Sequence, residues 1–374
     1  MYHTNSRLRE VHLSIGLPWK HIIVTSNLGG NMKLFLTDDH RKPLQRPLEL
    51  IDTLTNKHGA IVTSFNPRAQ NKEEWFEKNL FSDNDVLLFL DAWNPTALEM
   101  KALSARYSVK LKFAGIWWGG SYDCNSLLGK TSHDSSWAKL TERALFNTYD
   151  MNLFATKSHA KLVADKLLEL RPMFGIKPVD WLLEHNKHAK IVGMPFDHIH
   201  PEDNVSKEDV IALDLSGDEG TQPDVLAKIQ EKLPDFTFVD SNDFSSLASA
   251  KVVFSANTKE GLDVNVYAGM VNKALPLVPD RLSYQEMYPD QYRYKQEWTE
   301  DSEFFDRYCN NVIDAIRDYV VHYDRHIHGL SRISEIRDTF FSSDAMCQSL
   351  VELSTPEDTE TSKRKVTVSF GNKA

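Results

Sequence analysis

The residue types best suited to chemistry lie in the second half of the chain, in the run Val252–Tyr267. This run opens with Val252-Val253-Phe254, which is typical of a buried strand, and passes through a polar turn into a helix. Backbone N–H groups at the start of a helix can bind an anionic or hydroxyl-rich ligand, and the Glu260 carboxylate can accept hydrogen bonds from sugar hydroxyls. We therefore predict a donor-binding site at this turn, with the contact residues Asn257, Lys259, Glu260, Gly261, Leu262 and Asn265.

A second group of aromatic and polar residues follows a strand in the first half of the chain, in the run Ala114–Asp123. Its glycines let the backbone approach a ligand closely, and its aromatic faces can stack on sugars or bases. The acceptor-binding residues predicted here are Trp117, Trp118, Gly120, Tyr122 and Asp123. A position in the core or at an interface is the alternative for Trp117 and Trp118.

Phosphate contacts are expected where the strand Asn152–Ala155 leads into a helix. Thr156, Lys157 and His159 stand at the start of that helix, where a bound anion is favoured. A further cation follows a strand in the second half. We predict phosphate binding by Thr156, Lys157 and Arg281.

The run Val252–Tyr267 resembles the donor-binding half of retaining family 4 glycosyltransferases, whose motif places one glutamate at the Glu260 position and a second at the Ala268 position. The run Leu275–Pro289 resembles the corresponding segment of the tRNA-queuosine mannosyltransferase branch and related phage-type enzymes. This resemblance spans roughly Met32–Pro289. It implies sugar transfer from a nucleotide sugar of UDP or GDP type, with no cofactor and no metal. It further implies a nucleic-acid or modified-base acceptor. Because the sequence shows neither a membrane helix nor a secretory core, we expect a cytoplasmic location, in the host cytoplasm if the chain is phage-encoded.

The chain departs from this family pattern at four positions. Ala268 replaces the second glutamate, and Trp118 stands at or next to the position of a family histidine. Ser216 and Thr221 occupy the places of an Arg and a Lys that neutralise the donor diphosphate in the family. Loss of one preorganised donor group of this kind can cost about 10²–10³ in rate.

These departures leave two functions open. In the first, the chain is an active hexosyl- or pentosyltransferase that takes its cations from elsewhere, with Lys157, Lys259 and Arg281 as replacements. In the second, it is a catalytically inactive glycosyltransferase-like binding or scaffold protein that supports an active glycosyltransferase partner. An NAD-dependent enzyme is a weaker third alternative, because no G-x-G-x-x-G run follows any strand.

Predicted strands alternate through both halves with predicted helices, for example Thr96–Arg106, Trp137–Asn147 and Pro223–Lys232. This alternation indicates parallel sheets covered by helices on both faces. The fold class that we predict is α/β, with two Rossmann-like doubly wound domains facing a cleft, as in glycosyltransferases of B type. The predicted strands are Lys33–Thr37, Ala60–Ser64, Val86–Leu90, Leu111–Ile116, Asn152–Ala155, Lys190–Val192, Val210–Leu213, Phe236–Val239, Val252–Phe254 and Leu275–Val278.

The expected domain boundaries follow from changes in composition along the chain. They are an N-terminal extension (1–31), an acceptor-side domain (32–195), a linker (196–209), a nucleotide-sugar-side domain with a returning C-terminal helix (210–354) and a polar tail (355–374). The amphipathic stretch Phe305–His328 is the helix that we expect to run back and pack on the first domain.

The first 31 residues carry no clear helical period, and the strand-helix-strand pattern begins only after Met32. The codons for Leu28–Asn31 can contain a purine-rich ribosome-binding sequence a few bases before Met32, so we expect translation to begin at Met32. The alternative is that Asn27–Gly30 is a glycine-rich phosphate loop after a short strand.

Composition narrows the range of partners. The formal net charge of −10 and a pI near 5.8 argue against an extensive nucleic-acid surface, so any such contact must be local. No stretch approaches the roughly 18 apolar residues of a membrane helix. The three cysteines are too far apart for a zinc cage. His198 and His200, beside Glu202, fit a solvated loop better than a metal site.

Overall fold

The structure is a computed structural model that describes residues 34–38, 52–56, 59–64, 72–131, 136–172, 175–186, 188–203, 205–259 and 261–355. The proposed start at Met32, the loop Asn27–Gly30, Glu260 and the tail after Thr355 lie outside the described residues.

Six parallel strands form the first sheet, in the spatial order β2-β1-β3-β4-β5-β6. The strands are β1 (Leu34–Asp38), β2 (Ile61–Ser64), β3 (Val86–Phe89), β4 (Lys112–Ile116), β5 (Met151–Phe154) and β6 (Ala189–Ile191). All four residues of β3 and of β5 are buried, as expected for parallel strands covered on both faces. The strand order reverses between β1 and β3, which makes the sheet doubly wound.

Five further strands form a second parallel sheet, in the order β11-β10-β9-β7-β8. They are β7 (Glu208–Leu213), β8 (Thr237–Asp240), β9 (Ala250–Phe254), β10 (Leu275–Pro279) and β11 (Arg293–Tyr294). The order reverses between β7 and β9. Two doubly wound parallel sheets confirm the predicted α/β class with two Rossmann-like domains.

The helices flank these sheets. They are α1 (Lys72–Lys78), α2 (Thr96–Arg106), α3 (Leu127–Thr131), α4 (Ser136–Thr148), α5 (Lys157–Leu162), α6 (Pro178–His185), α7 (Pro223–Lys232), α8 (Phe244–Leu247), α9 (Val264–Val271), α10 (Tyr284–Met287), α11 (Ser302–Val321), α12 (Tyr323–His326), α13 (Ile333–Phe340) and α14 (Asp344–Ser354). Residues 52–56 are also helical. Within the described ranges, no helix combines the length and apolar character needed to cross a membrane.

Asp301 is the N-cap of the long helix α11. Its carboxylate accepts hydrogen bonds from the N–H groups of Glu303 and Phe304. Its apolar face packs against α7, β7 and β9 of the second sheet. The prediction that Phe305–His328 runs back onto the first domain was therefore wrong for this helix. Neighbours within its own half already cover its apolar stripe.

The return to the first half is made by α13 and α14 instead. The Met194 N–H donates to the Phe340 carbonyl (2.8 Å), and the Ser343 N–H donates to the Asp197 carboxylate (3.0 Å). Helix α14 then packs against β3 and β4 of the first sheet, with Met346 and Leu350 fully buried. Helix α14, which follows the second sheet in the chain, is therefore part of the core of the first sheet.

Candidate functional site

Two loops meet where the second sheet reverses its strand order. The β7 loop (residues 214–222) and the β9 loop (residues 255–263, of which residue 260 is not described) follow adjacent strands, paired from Ile211 with Val252 to Leu213 with Phe254. The Thr258 N–H donates to the Gly220 carbonyl (2.9 Å), which joins the loops directly. Doubly wound sheets bind ligands at such a switch point, beyond the carboxyl ends of the strands.

Two ion pairs surround the turn formed by the β7 loop. The Lys259 ammonium pairs with Asp218, and the Lys130 ammonium, from α3 in the first half, pairs with Glu219 at 2.5 Å. Asp218 also accepts a hydrogen bond from the Gly220 N–H (2.7 Å), so it shapes the turn. We name these four side chains, Lys130, Asp218, Glu219 and Lys259, the charge cluster.

The carboxylates of the charge cluster are stabilised in their ionised form. Burial raises the pKa of Asp218, but the hydrogen bonds from Lys259 and from the Gly220 N–H outweigh it and lower the pKa overall. The hydrogen bond from Lys130, with its charge, lowers the pKa of Glu219. The aliphatic stem of Lys259 lies over Gly220 and fills the space that a Cβ atom would need. A side chain at position 220 would therefore force the Lys259 stem to move.

A loop of the first half also reaches the site. The Asn125 amide donates to the Thr258 carbonyl (2.8 Å), which connects the β4 loop (residues 117–126) with the β9 loop. Asp123 fixes this part of the β4 loop by accepting from the Asn125 N–H (3.0 Å). The carboxyl ends of both sheets therefore face each other across the charge cluster.

A side chain already caps the helix start where we expected a ligand. Asp263 accepts from the Val266 N–H at the start of α9 (3.3 Å) and also from the hydroxyls of Ser255 (2.8 Å) and Tyr284 (2.7 Å). Asn265 is buried, with its amide donating to Asn242 (3.0 Å). In this conformation, the expectation of open N–H groups and an exposed Asn265 is corrected, because Asp263 and the buried amide network occupy these positions.

Arg281 does not offer its charge to the cleft. It is 9% exposed, and each of its three guanidinium nitrogens donates to backbone carbonyls, those of Ala256, Asn257, Gln296 and Thr299. The predicted phosphate contact is therefore corrected. Arg281 fixes the backbone at the start of the β9 loop.

The other predicted phosphate site, at the start of α5, is also occupied by a carboxylate. Glu286 of α10 accepts from the N–H groups of Ser158 (2.7 Å) and Lys157 (3.2 Å). The Lys157 ammonium points to Asp180 (2.6 Å). Glu286 thus stands where we expected a phosphate, and sequence reasoning missed it because the two partners are 128 residues apart in the chain.

Thr156 is likewise buried within the protein. Its hydroxyl caps α5 by accepting from the His159 N–H (3.1 Å), and it shares a hydrogen bond with the Ser283 hydroxyl (2.8 Å). This second contact links the two halves of the chain beside Glu286. The predicted phosphate contact of Thr156 is corrected, because its hydroxyl serves this interdomain junction.

The predicted acceptor residues divide into core and surface. Trp117 is fully buried and its indole N–H donates to Asn152 (2.8 Å), which matches the alternative of a core position. Tyr122 and Asp123 are also buried, with the Tyr122 hydroxyl bonded to His159 (2.8 Å). Trp118 is 38% exposed, and within this predicted set it alone presents a ring to solvent.

A buried carboxylate that the sequence did not reveal organises this surface. Glu142 of α4 accepts from the N–H (2.8 Å) and hydroxyl (2.5 Å) of Ser121 and from the indole N–H of Trp93 (3.0 Å). Burial raises the pKa of Glu142, although the Ser121 and Trp93 bonds act in the opposite direction. The Trp93 ring stands at 90° to that of Trp137, which is 52% exposed. No sequence pattern distinguishes Glu142 from the solvated acids of other helices.

A cavity of about 460 Å³ lies elsewhere, beside the segment between β6 and β7, with Asp197, His200, Tyr267 and Arg337 in its walls. None of its lining residues belongs to the β7 or β9 loop. In the part of the chain that the structure describes, no group of three or more His, Cys, Asp or Glu side chains could hold a metal ion.

No protein-family model and no curated protein sequence matches this chain. Solved structures do. A complex of S. aureus TarM with fondaparinux, α-GlcNAc-glycerol and UDP matches at 11% identity and a TM-score of 0.51, over 76% of this chain and 58% of TarM. The pneumococcal O-GlcNAc transferase GtfA, in complex with UDP and GlcNAc, matches at 10% identity and a TM-score of 0.50, over 75% of this chain and 59% of GtfA.

Sucrose-phosphate synthase from Thermosynechococcus elongatus matches at 9% identity and a TM-score of 0.58, over 86% of this chain and 98% of that protein. Against TarM and GtfA, by contrast, the chain spans less than two thirds of the neighbour's length. At such low identity these similarities show a shared fold. With its two doubly wound sheets, the chain has the GT-B fold of these glycosyltransferases.

Proposed function

We propose that this chain is a glycosyltransferase that binds a nucleotide sugar of UDP or GDP type at the β7 and β9 loops. The observation that carries the proposal is the meeting of these loops at the switch point, opposite the β4 loop and with two lysines beside them. The fold supports it, since two structural neighbours were solved with UDP. The retaining mechanism and the queuosine-related branch remain proposals drawn from the sequence resemblance.

The proposed role of these residues is to neutralise the diphosphate that leaves during sugar transfer. In sugar transfer, the bond from the anomeric carbon to a phosphate oxygen breaks, and an acceptor hydroxyl forms the new bond and gives up its proton. Negative charge grows on the departing nucleoside diphosphate, and nearby cations stabilise it. We assign this role to Lys259. Its ammonium pairs with Asp218, in the same turn as Ser216 and Thr221, which take the places of the family's Arg and Lys.

For the acceptor we propose a planar or ring-shaped group, and a modified nucleobase in particular. The resemblance to the queuosine branch motivates this choice. The half-exposed Trp118 ring supports it, because every base offers a face for stacking on an aromatic side chain. Its Nε1 donates to the Leu90 carbonyl (2.5 Å), which fixes the ring at the carboxyl edge of the first sheet.

The second candidate function is a catalytically inactive binding or scaffold protein beside an active glycosyltransferase. Two observations favour it. Both lysines of the charge cluster are paired with carboxylates. Ala268, where the resembling family has its second glutamate, is fully buried and carries no carboxylate.

Binding tests the proposal first. We expect a UDP- or GDP-sugar to stabilise the protein by about 2.7 kcal/mol at 100 times its dissociation constant. Lys259→Ala should weaken the affinity about tenfold, because a charge-assisted contact to phosphate is lost. Lys228→Ala is the matched control, since Lys228 forms an ion pair of the same kind with Asp306 (2.6 Å) on the outer helices. Equal affinities for the two variants would contradict the proposed site.

Turnover then separates the two functions. We expect the purified protein to release the nucleoside diphosphate from its donor in the presence of acceptor, and Lys259→Ala to abolish this release. If donor binds but no release occurs, the binding or scaffold function is correct. If restoring Arg at 216, Lys at 221 and Glu at 268 then creates turnover, the chain is a glycosyltransferase that has lost its catalytic residues.

A further inference from the structure

We infer that Asp218 and Glu219 occlude a diphosphate site formed by Lys130 and Lys259, so that donor binds by replacing these two carboxylates. The inference rests on the proposed function for the identity of the ligand, a nucleoside diphosphate group. It adds a residue of the first half, Lys130, to the donor site. It also gives the turn that contains Asp218 and Glu219 a role in regulating that site.

The geometry places two positive and two negative charges alternately around one turn. Lys259 approaches from the β9 loop and Lys130 from α3, on opposite sides of the boundary between the two halves. Their partners Asp218 and Glu219 are consecutive residues. Each carboxylate also lies within electrostatic reach of the other lysine, so both ammonium groups act on the same turn.

The chemistry of the two carboxylates resembles that of the proposed ligand. Two adjacent carboxylates carry two negative charges and accept hydrogen bonds from ammonium groups, as the two phosphates of a diphosphate do. Lysine binds phosphate as a point charge and does not demand a fixed planar partner. The same two ammonium groups can therefore exchange one pair of anions for the other.

The ion pairs are exposed enough to exchange. The side chains of Lys130 and Glu219 are 41% and 80% exposed, and those of Lys259 and Asp218 are 28% and 50% exposed. Pairs in such surroundings contribute little to stability, because water and salt screen them. A diphosphate that arrives with an attached nucleoside makes additional contacts, so it can displace them.

The surrounding backbone shows why the occluded state is well defined. The Gly220 N–H fixes Asp218, and the Gly220 carbonyl binds the Thr258 N–H. Asn125 of the first half donates to the Thr258 carbonyl on the same short segment. The turn, the β9 loop and the β4 loop thus form one hydrogen-bonded unit, and release of the carboxylates loosens the contact between the halves.

The test is the double variant Asp218→Asn/Glu219→Gln, which keeps shape and removes both negative charges. The matched control is Asp209→Asn/Asp306→Asn. These two carboxylates also pair with lysines at 2.6 Å, and they lie outside the charge cluster.

Affinities for UDP and for inorganic pyrophosphate are measured by calorimetry at fixed ionic strength. We expect both ligands to bind the test variant about tenfold more tightly than the wild type, and the control variant to be unchanged. Adding Lys259→Ala should remove the gain.

Glu219→Gln alone guards against misfolding of the double variant, because this side chain is 80% exposed. We expect about a threefold gain for it. If pyrophosphate binds the test variants no more tightly than the control, the inference is overturned, even where UDP-sugars bind the wild type. If pyrophosphate shows the gain while no nucleotide sugar binds any variant, the occluded anion site is supported and the proposed donor is overturned.

Discussion

Arg281 is a cation that acts entirely on backbone. Its Nη2 donates to the Ala256 carbonyl (2.7 Å) and its Nε to the Asn257 carbonyl (2.9 Å), at the start of the loop that carries Lys259. A buried guanidinium with every nitrogen engaged has no donor left for a phosphate. Its contribution to a ligand site is therefore indirect, through the shape of the β9 loop.

Arg281→Lys tests this role. A lysine cannot reproduce the fork of donors, so several buried carbonyls lose their partners. We expect the free energy of unfolding to fall by about 2–3 kcal/mol in urea titrations. Arg332→Lys, at an exposed pair with Glu335, should change it by less than about 0.5 kcal/mol. A similar loss in both variants would contradict the role given to Arg281.

His159 is a second buried residue with a measurable consequence. Burial lowers its pKa to about 4, against 6.5 for an exposed histidine, and its Nε2 bonds the Tyr122 hydroxyl at 2.8 Å. Between pH 6.5 and about pH 4, His159 is protonated in the unfolded chain and neutral in the folded protein. The resulting stability is complete above pH 6.5 and is lost as the pH falls through about 4.

We therefore compare the wild type with His159→Gln, which has no titrating group. Between pH 7 and pH 4, the wild type should lose on the order of 3 kcal/mol more unfolding free energy than the variant. Parallel curves for wild type and His159→Gln would show that folding does not lower the pKa of His159.

At the scale of elements, the start of α5 joins the two halves through side chains of α10 and the turn before it. Glu286 caps the helix from the second half, and Ser283 bonds the Thr156 hydroxyl beside it. A carboxylate at a helix N-terminus is favoured by the free N–H groups and by the helix dipole. This junction therefore supplies an interdomain contact separate from the charge cluster.

Glu286→Ala should lower the free energy of unfolding by about 1 kcal/mol, the usual cost of a lost cap. The amides of Lys157 and Ser158 should exchange faster with solvent, because their acceptor is gone. Glu303→Ala, at an exposed glutamate of α11, is the control and should leave these two amides unaffected. Unchanged exchange in Glu286→Ala would show that the cap does not form in solution.

The elements themselves were largely predictable. The predicted helices Thr96–Arg106 and Pro223–Lys232 have the observed bounds, because periodic apolar residues and Pro223 at the helix start define them locally. The two-residue strand β11 is too short to leave a pattern. Pairings such as Lys130 with Glu219, 89 residues apart, depend on how the sheets face each other, which local spacing does not encode.

The predicted site was less accurate for the same physical reason. The loops after β7 and β9 were correctly placed at the carboxyl ends of strands, since that follows from strand order alone. Burial then decides which side chains are available. Trp117 and Arg281 have the chemistry of ligand contacts, yet the first is fully buried and the second is 9% exposed.

At the scale of the whole molecule, a helix that follows the second sheet completes the core of the first sheet. Helix α14 covers β3 and β4, and Leu350 is fully buried there. Helix α13 and the segment after it bind the chain between β6 and β7, where the N–H groups of Met194 and Phe196 donate to the carbonyls of Phe340 (2.8 Å) and Phe341 (3.2 Å). The first sheet therefore depends on residues that follow the second.

Leu350→Ala measures this dependence. The cavity should lower the free energy of unfolding by about 3 kcal/mol. Hydrogen exchange should rise in β3 and β4 and remain unchanged in β10, which lies in the other sheet. Gln348→Ala, on the exposed side of α14, is the control and should alter neither quantity. Equal exchange changes in both sheets would show that α14 stabilises the molecule as a single unit.

The late position of α14 has a consequence during synthesis on the ribosome. Strands β3 and β4 are complete once Ile116 has emerged, but the helix that covers them begins only at Asp344. At about 5–20 residues per second, the nascent chain exposes this apolar surface for on the order of ten seconds or more. Until residues 344–354 have been synthesised, the apolar face of β3 and β4 lacks the helix that covers it in the folded protein.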